Sequence, residues 1–179
     1  MELSAASARL VPLQEKVHFL ASAQAHPGCG LPEVIETHMS WVFLAGDRVL
    51  KLKKPVRTAL LDFSTLAARE FNCREEVRLN RRLAPDVYVG VMPLLAQPGG
   101  GLAVGGAGPA PGAVVDWLVQ MRRLERARML DVAIGAGTVT RDDVDRLAGR
   151  LAEFFSAARP VALDAGSYVQ RFIAAQAMN

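Results

Sequence analysis

The chain has 179 residues, a formal net charge of +3, 51% hydrophobic residues and 6% aromatic residues. This size and apolar content predict a globular chain of one domain, or of a small lobe with part of a second, and they exclude a disordered chain. Met1 to Ser4 do not begin a secretory signal and no apolar run reaches the roughly 18 residues of a membrane span, so we expect a cytoplasmic protein without a membrane partner.

Cysteines and histidines are too scattered to predict a metal site. Cys29 and Cys73 are far apart, and all three histidines, His18, His26 and His38, lie in the first quarter of the chain. Zinc sites need ligands at short spacings, so we expect reduced thiols and no metal held by cysteine and histidine. The positive charge favours anionic partners, phosphates and nucleic acid included, without choosing between them.

The N-terminal part of the chain predicts one helix followed by three strands. Residues 7–25 carry apolar side chains at three- and four-residue spacing, which is typical of an amphipathic helix, and a Pro/Gly-rich segment then ends it. Gly46 and Asp47 between two apolar runs predict a hairpin turn. The strands are predicted at residues 34–37, 41–44 and 49–53.

The connection between the first two strands is a candidate for contacting an anion. It consists of Thr37, His38, Met39 and Ser40, whose short polar side chains would let backbone N–H groups approach a phosphate. The connection contains no glycine. An ordinary hairpin turn is therefore an equal alternative on these residues alone.

A helix is predicted after the third strand, from its N-cap Ser64 to about Leu83. At 100° per residue, Glu76 falls on the apolar arc of this helix, whereas Glu75 falls on the edge that leads to solvent. We therefore expect Glu76 to point toward the core.

A carboxylate on an apolar face needs a cation, and Lys51 of the third strand is the cation that the fold would bring to Glu76. Two alternatives remain open on these residues. Glu76 would pair within its own helix with Arg81 or Arg82, or would lie in water at the edge of the arc.

Two more strands are predicted at residues 86–95 and 114–121, with a flexible Gly/Pro-rich hairpin loop at residues 97–112 between them. Neither G-x-G-x-x-G nor the phosphate-loop sequence G-x-x-x-x-G-K-[ST] occurs. The rest of the chain is predicted to be helical, with Thr140 as the N-cap of an amphipathic helix and a last helix from Tyr168 to Ala177.

This order of elements resembles the small lobe of the protein-kinase-like fold. Four segments are similar to the N-terminal part of bacterial aminoglycoside-phosphotransferase-like proteins, which are often bifunctional with an appended P-loop kinase domain. The resemblance covers most of the chain from about residue 30 onward. The segments that carry it are Ile35–Val42, Lys51–Val56, Leu61–Leu66 and Arg78–Pro85.

The resemblance implies an α+β fold. It would consist of a kinase-like small lobe, with about five antiparallel strands and a C-type helix, followed by the first helices of an incomplete large lobe. The implied division is an N-terminal helix at residues 1–29, the small lobe at 30–124 and the start of the large lobe at 125–179.

The resemblance also implies that the chain binds ATP. Lys51 would contact the α- and β-phosphates, and Glu76 would orient Lys51. Backbone groups near Met121 and Arg122 would bond the adenine, and the connection from Thr37 to Ser40 would cover the phosphates without the glycine-rich loop of protein kinases.

The catalytic parts of the family pattern do not occur in this sequence. Phosphoryl transfer in the family needs a His-Gly-Asp-like loop and a later metal-binding aspartate, yet no histidine follows His38. Asp62-Phe63-Ser64 is similar to the metal-binding Asp-Phe-Gly but precedes the glutamate helix. We therefore expect a catalytically incomplete nucleotide-binding chain without magnesium ligands: a natural remnant, a mispredicted short reading frame or a truncated form of a phosphotransferase.

Two other functions compete with this one. The first is a pseudokinase-like interaction module, whose exposed apolar stripes from Val144 onward would bind a missing C-terminal half or a second copy. The second is a nucleic-acid-binding module, which is less favoured because the aromatic residues are few and scattered. Its basic residues would be Lys51, Lys53, Lys54, Arg57, Arg78, Arg81, Arg82, Arg122, Arg123 and Arg126.

Overall fold

The computed structural model describes residues 10–58, 61–106, 111–160, 162 and 164–177. The chain divides into two compact units, Met1–Met129 and Leu130–Asn179. The first unit holds an antiparallel sheet with helices, and the described residues of the second hold helices. The fold is therefore α+β, as the sequence predicts.

The described residues of the first unit form two α-helices and one six-stranded sheet. The α-helices are α1 (Leu13–Leu20) and α2 (Leu66–Asn80), and short 3₁₀ turns cover Ala23–Ala25 and Arg126–Arg128. Neighbouring strands are antiparallel, in the spatial order β1-β2-β3-β6-β4-β5. The strands are β1 (Glu33–Glu36), β2 (Ser40–Ala45), β3 (Arg48–Lys53), β4 (Tyr88–Ala96), β5 (Leu102–Val104) and β6 (Ala113–Arg122).

The described sheet has one more strand than the sequence predicts. The five predicted strands are present, and β5 lies in the Gly/Pro-rich segment that we expected to be a loop. It pairs with the last three residues of β4. Gly105 then donates its N–H to the Pro93 carbonyl at 2.8 Å, and a Cβ at Gly105 would lie 2.6 Å from Pro93 Cγ. Three apolar residues are too short a pattern to indicate a strand without its partner.

The first helix is shorter than the prediction over residues 7–25. Residues 7–9 lie outside the described residues, and within these the helix begins only at Leu13, because Pro12 has an extended ψ of 152°. Leu10, which the spacing places on the apolar stripe, is 93% exposed. The helix ends at Leu20, since Ser22 is again extended and donates its hydroxyl to the Phe19 carbonyl.

The two faces of the sheet bury different side chains. On one face, Leu20 of α1 packs in a cluster with Phe43, Leu52 and Leu118. On the other face, the cluster consists of Cys73 and Val77 of α2 with Val119 of β6. Successive residues of a strand point to opposite faces, so β3 directs its leucines to the first cluster and its lysines toward α2. Burying each of these large apolar side chains contributes about 1.5–3 kcal/mol.

The glutamate helix α2 begins one residue later than predicted. Thr65, rather than Ser64, is its N-cap, and Thr65 Oγ1 accepts a hydrogen bond from the Ala68 N–H at 3.1 Å. The Ser64 hydroxyl instead donates to Asp62 Oδ1 at 2.6 Å, which accounts for the shift. The helix ends at Asn80, and turns continue to Leu83.

The described residues of the second unit form three helices, α3 (Leu130–Gly135), α4 (Arg141–Ser156) and α5 (Ala165–Ala177). Thr140 is the N-cap of α4, as predicted, and forms a capping box with Asp143. The apolar stripe of α4 is exposed, and the binding of a partner to it stays a prediction. The exposed residues of this stripe are Val144, Leu147, Leu151 and Phe155.

Candidate functional site

Two lysines of β3 and one glutamate of α2 form a partly buried ion-pair cluster. Lys51 Nζ lies 2.8 Å from Glu76 Oε1, and Lys53 Nζ lies 2.6 Å from Glu76 Oε2. The Lys51–Glu76 pair that the sequence predicts is therefore present. The second lysine on the same carboxylate was not predicted. We call Lys51, Lys53 and Glu76 the lysine–glutamate cluster.

Local geometry brings the three residues of this cluster together. Residues two apart on a strand point to the same face, so Lys51 and Lys53 both project toward α2. Glu76 shares its side of α2 with Cys73, which is three residues earlier and packs on the sheet. The Glu76 side chain is 13% exposed, against 33% for Glu75, so the predicted inward orientation of Glu76 is confirmed.

The two lysines of the cluster differ in exposure. The Lys51 side chain is 27% exposed, whereas the Lys53 side chain is 6% exposed. The Lys53 ammonium also lies 4.8 Å from the centre of the Phe63 ring, an arrangement that stabilises a cation. Lys53 is therefore held inside the protein, and Lys51 is the cation that solvent or a ligand reaches.

The cluster carries one more positive charge than negative charge. Burial acts to raise the pKa of Glu76, but the hydrogen bonds and charges of Lys51 and Lys53 outweigh burial and hold this pKa below its ordinary value of 4.5. Glu76 is thus ionised at neutral pH and faces two cations, an excess that suits an anionic ligand. Burial, and then the charge of Glu76, raise the pKa of Tyr88, a neighbour that was not predicted from the sequence.

The connection predicted to cover phosphates is a tight turn beside the C-terminal end of β3. There, the Lys54 N–H donates to the Met39 carbonyl at 2.9 Å. Within the turn, the Thr37 N–H donates to the Ser40 carbonyl at 2.8 Å, and the Ser40 N–H donates to Thr37 Oγ1 at 3.0 Å. Two of the four amides are thus used internally. The predicted phosphate contact therefore rests on the amides of His38 and Met39.

The residues predicted to bond adenine lie at the other end of β3. Met121 is opposite the second residue of β3 in the sheet ladder. The Arg122 N–H donates to the Val87 carbonyl at 2.8 Å, and the Arg123 N–H donates to the Asp47 carbonyl at 2.7 Å. These two amides are engaged and are therefore not available to an adenine ring.

A cleft of about 520 Å³ adjoins this end of β6, and its walls carry three arginines. From the Arg48 end to the Lys53 end, β3 covers about 17 Å at roughly 3.4 Å per residue. The predicted adenine and phosphate regions therefore lie at opposite ends of one strand, with Lys51 between them. The cleft is lined by Arg122, Arg123, Leu124, Glu125, Arg128 and Met129.

A second ion-pair cluster is fully buried and joins the sheet to both α-helices of the first unit. Asp116 of β6 accepts from Lys16 Nζ of α1 at 2.7 Å and from Arg69 Nε of α2 at 2.7 Å. Arg69 also donates to the carbonyl oxygens of Phe63 and Ser64. The ion-pair partners lie 100 and 47 positions from Asp116, so no local spacing predicts this cluster.

Many of the basic residues that would bind nucleic acid already face carboxylates. Exposed ion pairs such as Arg78–Glu75 and Arg57–Asp62 reduce the charge that these surfaces offer to a phosphate backbone. Nucleic acid as a less favoured partner stays a prediction. Cations of this set that form ion pairs in the described residues include Lys51, Lys53, Lys54, Arg57, Arg78 and Arg123.

Among the described residues, no group of three or more His, Cys, Asp or Glu side chains is placed to hold a metal ion. Cys29 and Cys73 are free thiols, and burial raises the pKa of Cys73 to about 11. In the same part of the chain, every helix is too short or too polar to cross a membrane.

Similar proteins occur in mycobacteria. One from Mycobacterium bovis and two from strains of Mycobacterium tuberculosis are each 37% identical to this chain over 140 residues, and all three are named only as uncharacterized proteins. The match covers 77% of this chain and 26% of each relative. The chain therefore spans about a quarter of the length of the curated relatives it matches. No protein-family model and no solved structure matches the chain.

Proposed function

We propose that the first unit is the nucleotide-binding lobe of an aminoglycoside-phosphotransferase-like kinase and binds the phosphates of ATP through Lys51. The observation that carries this proposal is the lysine–glutamate cluster, in which a partly exposed lysine is hydrogen-bonded to Glu76 at 2.8 Å. The four sequence segments that resemble the family also support it, and three of them lie outside the cluster.

The chemistry of the cluster suits a phosphate group. A lysine ammonium has three N–H donors, and among the described residues Lys51 gives one of them to Glu76. The remaining donors can form charge-assisted hydrogen bonds to phosphate oxygens.

We propose nucleotide binding without phosphoryl transfer by these residues alone. The sequence has no His-Gly-Asp-like loop, so it lacks the aspartate that accepts the proton of the substrate hydroxyl in the family. ATP turnover by the purified chain that is abolished by Lys51→Met would overturn this part of the proposal.

The test of binding is calorimetric titration of the purified chain with ATP at low salt. We expect the wild type to bind ATP and Lys51→Met to bind it at least about tenfold more weakly, because a hydrogen bond to a charged group contributes about 1.5–3 kcal/mol. Arg78→Met is the matched control, since it removes the same charge from an exposed position on α2 that pairs with Glu75.

Two results would contradict the proposal. One is a wild-type chain that does not bind ATP. The other is an equal loss of affinity in Lys51→Met and Arg78→Met, which would mean that only the overall charge of the chain matters.

A further inference from the structure

We infer that Lys53 is the permanent counter-ion of Glu76, which leaves the charge of Lys51 available to a polyphosphate anion. The inference rests on the proposed function, because it takes the triphosphate chain of a nucleotide as the ligand. It assigns a role to a residue that the proposed function does not use, and it treats Lys53 as a positioning residue that acts through Glu76.

The geometry distinguishes the two lysines. Lys53 Nζ is 2.6 Å from Glu76 Oε2 and packs against the Phe63 ring, in a position that solvent hardly reaches. Lys51 Nζ is 2.8 Å from the other oxygen and is the more exposed of the two. Lys51 can therefore move toward a ligand more easily than Lys53, because Lys53 would have to leave a buried site.

The second lysine keeps Glu76 neutralised when Lys51 turns to a ligand. With Lys51 alone, the cluster would be neutral, and a lysine that turned to a phosphate would leave the partly buried Glu76 carboxylate without a cation. That carboxylate would also repel the phosphate. With Lys53 in place, Glu76 keeps a partner in either position of Lys51, and the cluster keeps a net positive charge.

The second ion-pair cluster, which is centred on Asp116, shows why two cations on one carboxylate are not sufficient for a ligand site. There too, one carboxylate holds two cations, but Lys16, Arg69 and Asp116 are all buried. No member of that cluster can turn to a ligand. It therefore supplies a matched control, because Lys16→Met removes a buried lysine from a shared carboxylate just as Lys53→Met does.

The experiment titrates four proteins with ATP and, separately, with inorganic tripolyphosphate at low salt. They are the wild type, Lys53→Met, Lys16→Met and the double variant Lys53→Met/Glu76→Gln. Lys53→Met should weaken both ligands by about threefold to about a hundredfold, the effect of one unit charge about 6 Å away at effective dielectric constants of 80 and 20. Lys16→Met should bind like the wild type.

The double variant separates charge from structure. It restores the net charge of the cluster, because Lys51 then faces a neutral amide, and we expect it to recover affinity relative to Lys53→Met. Wild-type affinity in Lys53→Met, or a double variant as weak as Lys53→Met, would overturn the inference while the proposed function stands. Where Lys53→Met does not fold, the affinities of the double variant and the wild type are compared. Similar affinities support the inference, and a much weaker double variant overturns it. A wild type that binds neither ligand overturns the proposed function as well.

Discussion

Replacing Asp116 by asparagine removes one buried charge while keeping the size of the side chain. The Asn Oδ1 atom could still accept from Arg69 Nε and from the Trp117 N–H, which lie 2.7 Å and 3.0 Å from Asp116 Oδ1. The new Asn NH2 group would face Lys16 Nζ, however, so two hydrogen-bond donors would oppose each other where Asp116 Oδ2 now accepts. Two buried cations would then lack their counter-ion.

We expect Asp116→Asn to lower the free energy of unfolding by about 3–5 kcal/mol, the cost of removing one partner from a buried ion pair. That is a large share of the roughly 5–15 kcal/mol that stabilises an ordinary domain. Urea unfolding followed by tryptophan fluorescence measures it for the first unit, because both tryptophans of the chain, Trp41 and Trp117, lie in its sheet.

Two controls define the refuting result. Lys16→Met leaves Asp116 paired with Arg69 but removes the donor to Asp116 Oδ2 and to the Val115 carbonyl, so it should cost about 1–3 kcal/mol, less than Asp116→Asn. Glu70→Gln removes the same charge from a solvent-accessible pair with Arg74 and should cost less than about 1 kcal/mol. If Asp116→Asn lowers the free energy of unfolding no more than Glu70→Gln does, the buried charge of Asp116 does not stabilise the first unit.

Two further predictions concern titration and reactivity. Because the pKa of Glu76 is lowered in the folded chain, its ion pairs stabilise the fold above the ordinary value of 4.5, and this stabilisation is lost as the pH falls through the lower, folded pKa. The unfolding free energy of the wild type minus that of Glu76→Gln, measured from pH 7 to pH 3, should therefore shrink below about pH 4.5; a constant difference would refute this. For the thiols, we expect Cys29 to react quickly with a thiol reagent at pH 8 in the native chain and Cys73 to react slowly. Cys29 is exposed, whereas Cys73 is buried with its pKa raised to about 11. Mass mapping that finds Cys73 modified first would contradict this order.

The sequence by itself was sufficient for the elements whose patterns are local. Apolar runs bounded by turn residues predicted five of the described strands, and the 3.6-residue period of α2 predicted that Glu76 points toward the sheet. That period and the cost of an unpaired carboxylate on an apolar face made the Lys51–Glu76 pair one of three arrangements, and the resemblance to the kinase-like small lobe favoured it over the other two. The Thr140 cap of α4 followed from residues within one turn.

Only the tertiary structure decided which partners the remaining charges find. Lys53 was seen in the sequence only as one more basic residue, although it and Lys51 share one face of β3 and one carboxylate. Asp116 was seen only as a strand residue, and its cations come from helices far away in the chain. Strand β5 likewise needs its partner β4. The physical reason is common to these cases: spacing along a chain determines which face a side chain occupies, whereas long-range packing determines what lies opposite it.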